Sequence, residues 1–496
     1  MADLRERLAG GVKASFVAQA TRAGVNAALV VLLSRYLLDP TGYGRLFFAL
    51  SVVSVVGLFA SLGLPKSAAR YVVEYAESDP PQVRHVLRRS FAWLLGLGLA
   101  VGIALAAASG PLARLLGQPA VAPLLAVGGG YVLVRSLSSY CSVVFQGLNR
   151  VVWSARLTVV SNLGRLGFVV VLVSLGFGAT GALAGYVVGF ALAVAVGLAV
   201  LYRTTYRTLD RAPAKPGLSR RLAEYSLPLA VTKGANVVDK RADTVIVGVL
   251  LNATAVSYYT VAKQVADFAA MPVASLGFTV SPALGDEAAG GRRERAARLY
   301  HESLRHVLLL YVPAAAGLAL VAGPLVTLVL GSAYAGAVPV LRVFAGFVAV
   351  NAVNKITNDG LDFLGRARSR AAAQGTMAAT NIALTLWLVP LVGVVGAAVA
   401  TVLTYGSYTA ANVYFIHEEL GTDPATMASD LLWSCVVAAG VALAVLALLP
   451  YVGSLPTLAG VIAAGAAVWA VLAVAFGLLD PGRVARLLGG RGTSGP

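Results

Sequence analysis

Acidic residues are scarce in this chain of 496 residues, which has 22 Asp and Glu against 39 Lys and Arg. Charged residues of both signs make up only 12% of the chain, whereas 58% is hydrophobic. This composition excludes an ordinary soluble domain and predicts an all-α polytopic membrane protein. The net charge of +17 lies mostly between apolar runs. Membrane topology explains such a distribution, so we expect no nucleic-acid partner.

Cysteine and histidine are also rare, with two Cys and four His in the chain. Cys141 and Cys435 both fall in apolar segments, which predicts neither a disulfide framework nor a metal site. The histidines show no metal-ligand spacing. The chain has no Gly-x-x-x-x-Gly-Lys-Ser/Thr loop for ATP phosphates, and no catalytic constellation. We therefore expect no enzymatic activity, no catalytic residues and no resident cofactor.

Long apolar runs make up most of the chain, and about fourteen of them have roughly the 20 residues needed to span a bilayer. We interpret the first run as a retained helix, because it is too polar and too long for a signal peptide. The predicted spans are 14–34, 43–63, 90–109, 120–146, 151–175, 180–202, 222–251, 255–282, 304–323, 337–359, 371–391, 395–416, 427–450 and 454–479.

Positive charge is distributed unequally between the two sets of loops. Lys and Arg concentrate at the N-terminus, in the even-numbered loops and in the tail, where Arg483, Arg486 and Arg491 lie. Cytoplasmic loops carry such an excess of Lys and Arg. The sequence therefore predicts a multi-pass protein of the cell membrane with both termini in the cytoplasm.

Short motifs recur at a spacing of roughly 215 to 220 residues, the kind of signal that marks an internal repeat. Ser61-Leu62-Gly63 recurs at residues 275–277, and Arg84-His85 recurs as Arg305-His306. Because both halves begin on the cytoplasmic side, we expect two parallel six-helix lobes followed by two further helices. The predicted divisions are an N-lobe at 1–203, a cytoplasmic linker at 204–221, a C-lobe at 222–416, and the last two helices with the tail at 417–496.

The first predicted loop carries a recognisable pattern. The stretch from Leu33 to Gly44, with Arg35, Pro40 and Tyr43, resembles the first-loop signature of oligosaccharide flippases, the Wzx type of the MATE/polysaccharide flippase superfamily. Asp39 stands where that family usually has Gly. The resemblance extends over nearly the whole chain. It implies a V-shaped, two-lobed transporter that moves lipid-linked saccharides outward by alternating access through a central cavity.

Cationic residues within the predicted spans are the first candidates for a binding site. A charge at membrane depth is costly and normally faces the bundle interior or a wet cavity. Guanidinium and ammonium groups there suit the phosphate of a polyprenyl-linked oligosaccharide. Some of these side chains could instead be polar contacts between helices. The predicted substrate-binding residues are Arg22, Asn26, Arg135, Lys233, Lys240, Lys263 and Lys355.

Three carboxylates in the seventh and eighth predicted spans are candidates for ion coupling. Asp239, Asp243 and Asp267 could each bind H⁺ or Na⁺ and link it to lobe movement. Equally, they could only neutralise Lys240, Arg241 and Lys263 in structural ion pairs. Helical spacing places Lys233, Asn236, Lys240 and Asp243 on one face, and we expect Arg241 to point elsewhere.

Three other functions stay open at this stage. A MATE-type multidrug or cation antiporter would be expected to use acidic residues in its first lobe, but the first six spans contain no Asp or Glu at membrane depth. A peptidoglycan-precursor lipid flippase would share fold and chemistry. A membrane glycosyltransferase or ligase would need an acidic metal or acceptor site near an external loop, but the odd-numbered loops are short and nearly free of Asp and Glu. The predicted partners of a flippase are its lipid-linked oligosaccharide, membrane lipids, and the glycosyltransferases or polymerase of the same pathway.

Overall fold

A computed structural model describes residues 2–273, 283–287 and 290–479, and these residues form helices and connecting turns without any strand. The predicted all-α fold is therefore confirmed. Sixteen helices can be bounded in the described residues. They are α1 (Ala2–Leu32), α2 (Pro40–Ser61), α3 (Leu64–Ser78), α4 (Pro80–Ala107), α5 (Ser109–Leu115), α6 (Ala122–Gly147), α7 (Val151–Leu172), α8 (Gly178–Leu201), α9 (Leu218–Leu250), α10 (Ala253–Ala270), α11 (Arg293–Pro324), α12 (Val338–Phe363), α13 (Ala367–Val392), α14 (Val394–Leu420), α15 (Pro424–Leu448) and α16 (Leu455–Ala475).

Eleven helical segments of the described residues are long and apolar enough to cross a membrane. One of them, Val151–Tyr206, has 56 residues and contains both α7 and α8. The charged helices α9 and α10 are not among the eleven, although each forms where a span is predicted. The protein is thus a multi-pass membrane protein, roughly consistent with the predicted fourteen spans. The end of the eighth predicted span, the second Ser-Leu-Gly motif and the arginines of the tail lie outside the described residues.

The Asp39 that departs from the family pattern has a structural role at the start of α2. Its side chain accepts a hydrogen bond from the backbone N–H of Gly42 at 3.0 Å. Pro40 occupies the first helical position, where its missing N–H costs nothing. Asp is a preferred N-cap residue. Asp39 therefore caps the N-terminus of α2.

Close helix contact explains the Gly44 of the same signature. A Cβ added to Gly44 would lie 1.6 Å from the carbonyl oxygen of Ala253 at the start of α10. Beside this contact, the hydroxyls of Thr41 and Thr254 are 3.1 Å apart. Only a residue without a side chain allows the two backbones to approach so closely. Gly44 therefore allows α2 to pack closely against the start of α10.

Helices α7 and α8 approach each other along a stripe of glycines. Gly185 and Gly189 lie one turn apart on α8, and a Cβ on Gly189 would be 2.4 Å from the backbone nitrogen of Arg165. Small residues at such spacing let membrane helices pack with their backbones close together. The stripe therefore sets the position of Arg165 on α7.

The predicted linker has a defined path along the ends of α3 and α4. Gln82, which is buried, donates from Nε2 to the Pro213 carbonyl at 2.8 Å and accepts from the Lys215 N–H at 3.0 Å. His85 donates from Nε2 to the carbonyl of Ala212 at 2.6 Å. Lys215 forms an ion pair with Asp79 at 2.9 Å. Contacts from α4 thus hold the linker in place.

The structure separates into two compact units, residues 1–260 and 261–496. The first unit includes α9, although the predicted C-lobe begins at residue 222 and contains most of this helix. Functional lobes are defined by what moves together, so the predicted lobe boundaries stay a prediction.

Candidate functional site

A cavity of about 300 Å³ lies between α2, α6 and α9 in the first unit. Four cationic side chains line it: Arg135 from α6, and Lys233, Lys240 and Arg241 from α9. Among the described residues that line the cavity, none is Asp or Glu. The structure thus brings together three of the predicted binding residues: Arg135, Lys233 and Lys240.

The spacing on α9 explains why its cations converge. Residues 233, 237, 240 and 241 follow each other at intervals that place them on one face of a helix. The expectation that Arg241 points elsewhere is therefore wrong. The predicted polar face contained Lys233, Asn236, Lys240 and Asp243. The face that lines the cavity shares Lys233 and Lys240 with it but also contains Val237 and Arg241.

The surroundings of the four cations leave their positive charge uncompensated. Lys233 donates to the hydroxyl of Ser61 at 3.0 Å, and the Arg135 guanidinium lies 4.7 Å from the ring centre of Phe190. Neither contact supplies negative charge. Within the part of the chain that the structure describes, no carboxylate forms an ion pair with any of the four. Such a site requires water or an anion, because each uncompensated cation at membrane depth costs about 3 kcal/mol.

Hydroxyl groups provide the neutral polar part of the lining. Ser54 and Ser61 come from α2, and Ser136 and Ser139 come from α6. Ser54 donates to the carbonyl of Leu50 in its own helix, at 2.5 Å. Hydroxyl oxygens can both donate and accept hydrogen bonds. The cavity therefore combines anion-binding charge with groups suited to phosphate or sugar oxygens.

Arg22 and Asn26 on α1 do not line this cavity, and Arg22 is exposed. Asn26 instead accepts a hydrogen bond from Arg165 of α7. The Arg165 guanidinium also donates to Asn162 at 3.1 Å and lies 5.0 Å from the Tyr186 ring centre. Arg165 therefore connects α1, α7 and α8. Substrate contact by Arg22 and Asn26 stays a prediction.

Two of the predicted coupling carboxylates are buried in α9. Asp243 is 3% exposed and accepts a hydrogen bond from the Tyr259 hydroxyl at 2.7 Å. Asp239 is also buried. Neither forms an ion pair with Lys240 or Arg241 among the described residues, so the neutralisation proposed for those two cations is not found.

The other candidates lie in the second unit. Lys263 lies 5.8 Å and 5.7 Å from the ring centres of Phe344 and Phe347 on α12. Such cation–π contacts stabilise an ammonium group away from water. Asp267, one turn further along α10, is exposed.

Lys355 has a partner that was not predicted from the sequence. Its Nζ forms an ion pair with Asp359 at 2.7 Å, one turn further along α12. The spacing of four residues could have revealed this pair. Lys355 is therefore charge-compensated, unlike the cations of the first unit's cavity.

The asparagines of α12 pack against α14. Asn358 accepts from Asn412 at 2.8 Å and from the Tyr408 hydroxyl at 3.1 Å. Asn354 is buried and accepts from Asn412 at 3.4 Å. These amides join two helices, a common role of polar side chains inside membranes.

Comparison with known proteins places this architecture in a family. Residues 8–286 match the family described as polysaccharide biosynthesis protein, and residues 228–387 match the MatE family. The first match covers more than half of the chain. The chain belongs to the polysaccharide biosynthesis protein family, which confirms the resemblance seen in the first loop.

Individual relatives agree with this assignment. A probable low-salt glycan biosynthesis flippase, Agl15 of Haloferax volcanii, is 24% identical over 198 residues, 40% of this chain and 42% of that relative. The match thus spans less than half of that curated protein. Among solved structures, the lipid II flippase MurJ in an inward closed conformation has a TM-score of 0.73 at 14% identity, covering 94% of this chain and 98% of MurJ. An inward-facing multidrug resistance MATE transporter has a TM-score of 0.65 at 16% identity, covering 81% of this chain and 94% of the transporter. These structures share the fold.

Proposed function

We propose that this protein is a flippase that moves a polyprenyl phosphate- or diphosphate-linked oligosaccharide from the cytoplasmic to the external leaflet of the cell membrane. The observation that carries the proposal is the cavity of the first unit, where Arg135, Lys233, Lys240 and Arg241 converge without a carboxylate among the described lining residues. A lipid-linked saccharide supplies the anion that this charge requires.

The chemistry of the four cations favours a phosphate ligand. Arg135 and Arg241 offer planar guanidinium groups that can bind two phosphate oxygens at once. Lys233 and Lys240 add compact point charges that can follow the ligand as it moves. Together with the cavity's serines, this set suits a headgroup that joins phosphate to sugar.

The same observation argues against export of organic cations, because a cationic ligand would be repelled by the four side chains. A flippase of peptidoglycan precursors remains the second candidate. It would use the same phosphate contacts, and only the sugar would differ. In either case, glycosyltransferases or a polymerase of the pathway would supply and consume the lipid.

Ion coupling is a separate part of the proposal. Asp243 is buried inside the first unit, whereas Asp267 is exposed on α10. We therefore favour Asp267 as the group that would bind H⁺ or Na⁺, since an accessible carboxylate can exchange its ion. Asp267→Asn should make flipping insensitive to an imposed gradient of that ion. If flipping by the unaltered protein responds to neither gradient, the coupling proposal is refuted.

Binding of a soluble diphosphate-linked saccharide by the purified protein tests the proposed site. Arg135→Gln and Lys240→Gln should each weaken binding by about tenfold or more, the effect of losing one charge-assisted hydrogen bond. Arg211→Gln is the matched control, because Arg211 is exposed in the linker and does not line the cavity. Equal affinity in all three variants would refute the proposed site.

A further inference from the structure

A second cavity, of about 430 Å³, lies in the first unit between α4, α6 and α8 and extends to the turn that follows α8. It shares no lining residue with the cationic cavity. Its walls are almost wholly aliphatic and aromatic, with Phe91 and Leu95 from α4 and Leu198 and Tyr202 from the α8 side. Arg88 is the one charged residue among the described residues that line it.

Arg88 differs from the two arginines beside it on α4. Arg84 donates to the carbonyl of Leu209 at 3.3 Å and lies 4.5 Å from the ring centre of Tyr206. Arg89 donates to the hydroxyl of Ser219 at 3.2 Å. Arg88 is exposed and has neither a hydrogen bond nor an ion pair with any described residue. Its guanidinium is therefore available to a ligand, whereas those of its neighbours hold the linker.

The floor of this cavity is fixed by buried hydrogen bonds. The Tyr140 hydroxyl donates to the carbonyl of Leu87 at 3.0 Å and lies 3.0 Å from the hydroxyl of Ser90. Tyr140 is completely buried, so its ring cannot turn to fill the space above it. The groove is thus pre-formed, and a ligand would not need to open it.

The position of the groove within two spanning segments determines what can fill it. Arg88 lies near the start of the segment Pro80–Ala107, and Leu95 lies about two turns further along it. Ala92 between them is exposed, as is Tyr202 at the end of Val151–Tyr206. At that depth an open apolar groove is filled by hydrocarbon, since water gains no polar partners there.

We propose that this groove binds an anionic glycerophospholipid, with one acyl chain between α4 and α8 and its phosphate on Arg88. A single uncompensated guanidinium matches a phosphodiester of one negative charge, through paired hydrogen bonds to its oxygens. The predicted orientation assigns this end of α4 to the cytoplasmic leaflet, where anionic lipids attract basic residues. The site is independent of the substrate in the cationic cavity.

Retention of phospholipid by the intact purified protein tests this proposal. Native mass spectrometry would count bound lipid after delipidation and titration with phosphatidylglycerol or phosphatidylcholine of the same acyl chains. The unaltered protein should retain phosphatidylglycerol preferentially. Arg88→Gln should weaken that retention about tenfold to hundredfold, as expected for losing a hydrogen bond between charged groups. Arg211→Gln removes the same charge elsewhere and should have no effect.

A second variant tests the groove itself while keeping its charge. Ala92→Trp should fill the space and expel the acyl chain, so lipid retention should fall although Arg88 is intact. Helix content and melting temperature without lipid show whether each variant is folded, and Ala92→Leu replaces the tryptophan variant if that one fails to fold. Equal retention of both lipids, or retention unchanged in Arg88→Gln, would overturn the proposal.

Discussion

Gly189→Ala should destabilise the protein, whereas Gly167→Ala should stabilise it. A Cβ at Gly189 would lie 2.4 Å from the backbone nitrogen of Arg165 and 2.6 Å from its Cα. Ordinary contact begins near 3.4 Å, so α7 would have to retreat by about 1 Å. Overpacking of this kind costs about 1–3 kcal/mol. Gly189→Ala should therefore lower the free energy of unfolding by that amount.

Gly167→Ala is the matched control, because it makes the same chemical change on α7. A Cβ at Gly167 would meet nothing within 4 Å. Without a steric cost, alanine should stabilise the helix by up to about 1 kcal/mol through its higher helix propensity. Melting temperatures and equilibrium unfolding of both variants in the same detergent measure the difference.

The Gly189 substitution should also affect the cavity. The ring centre of Phe190, the next residue on α8, lies 4.7 Å from the Arg135 guanidinium. Altered packing between α7 and α8 should therefore weaken phosphate binding as well. If Gly189→Ala is as stable as Gly167→Ala, the close approach of α7 and α8 is wrong, and the positions assigned to Arg165 and Arg135 fail with it.

Further predictions concern the other contacts. Gly44→Ala should lower the free energy of unfolding by about 3 kcal/mol or more, because its Cβ would overlap the Ala253 carbonyl. A normal folding yield for this variant would contradict that contact. Asp359→Asn should destabilise the protein by about 1 kcal/mol through loss of the Lys355 ion pair. In a thermal melt, the Lys355→Met/Asp359→Leu double variant should regain most of the stability that Asp359→Asn loses. Arg241→Gln should weaken phosphate binding as much as Lys240→Gln does, and normal affinity would exclude Arg241 from the site. Reporter fusions after Arg84 and Arg293 should read cytoplasmic and one after Leu251 external, and the reverse at either basic loop would refute the topology.

Patterns that depend on one helix at a time could be predicted from the sequence. The apolar runs predicted an all-α membrane protein, and the motif around Tyr43 and Gly44 indicated the family that the comparisons confirm. Charge at membrane depth also identified Arg135, Lys233 and Lys240, which the structure brings to one cavity. Each inference needed only local spacing and the cost of an exposed charge in lipid.

Features that depend on contacts between helices could not be predicted in the same way. The position of Arg241 in the cavity depends on which face of α9 meets α2 and α6. The hydrogen bond that Arg165 donates to Asn26 joins two different helices, so the spacing within either helix could not predict it. The ion pair of Lys355 and Asp359 is an exception, since its spacing of four residues lies within one helix and could have been found.

Flipping in proteoliposomes tests the central claim most directly. Purified protein would be reconstituted with a fluorescent polyprenyl diphosphate-linked oligosaccharide, and its movement between leaflets would be followed with a membrane-impermeant quencher. We predict rapid flipping by the unaltered protein and by Arg211→Gln, and little or none by the Arg135→Gln/Lys233→Gln double variant at equal reconstitution. Unchanged flipping by the double variant would contradict a cationic cavity as the substrate site, and no flipping by the unaltered protein would contradict the proposed function itself.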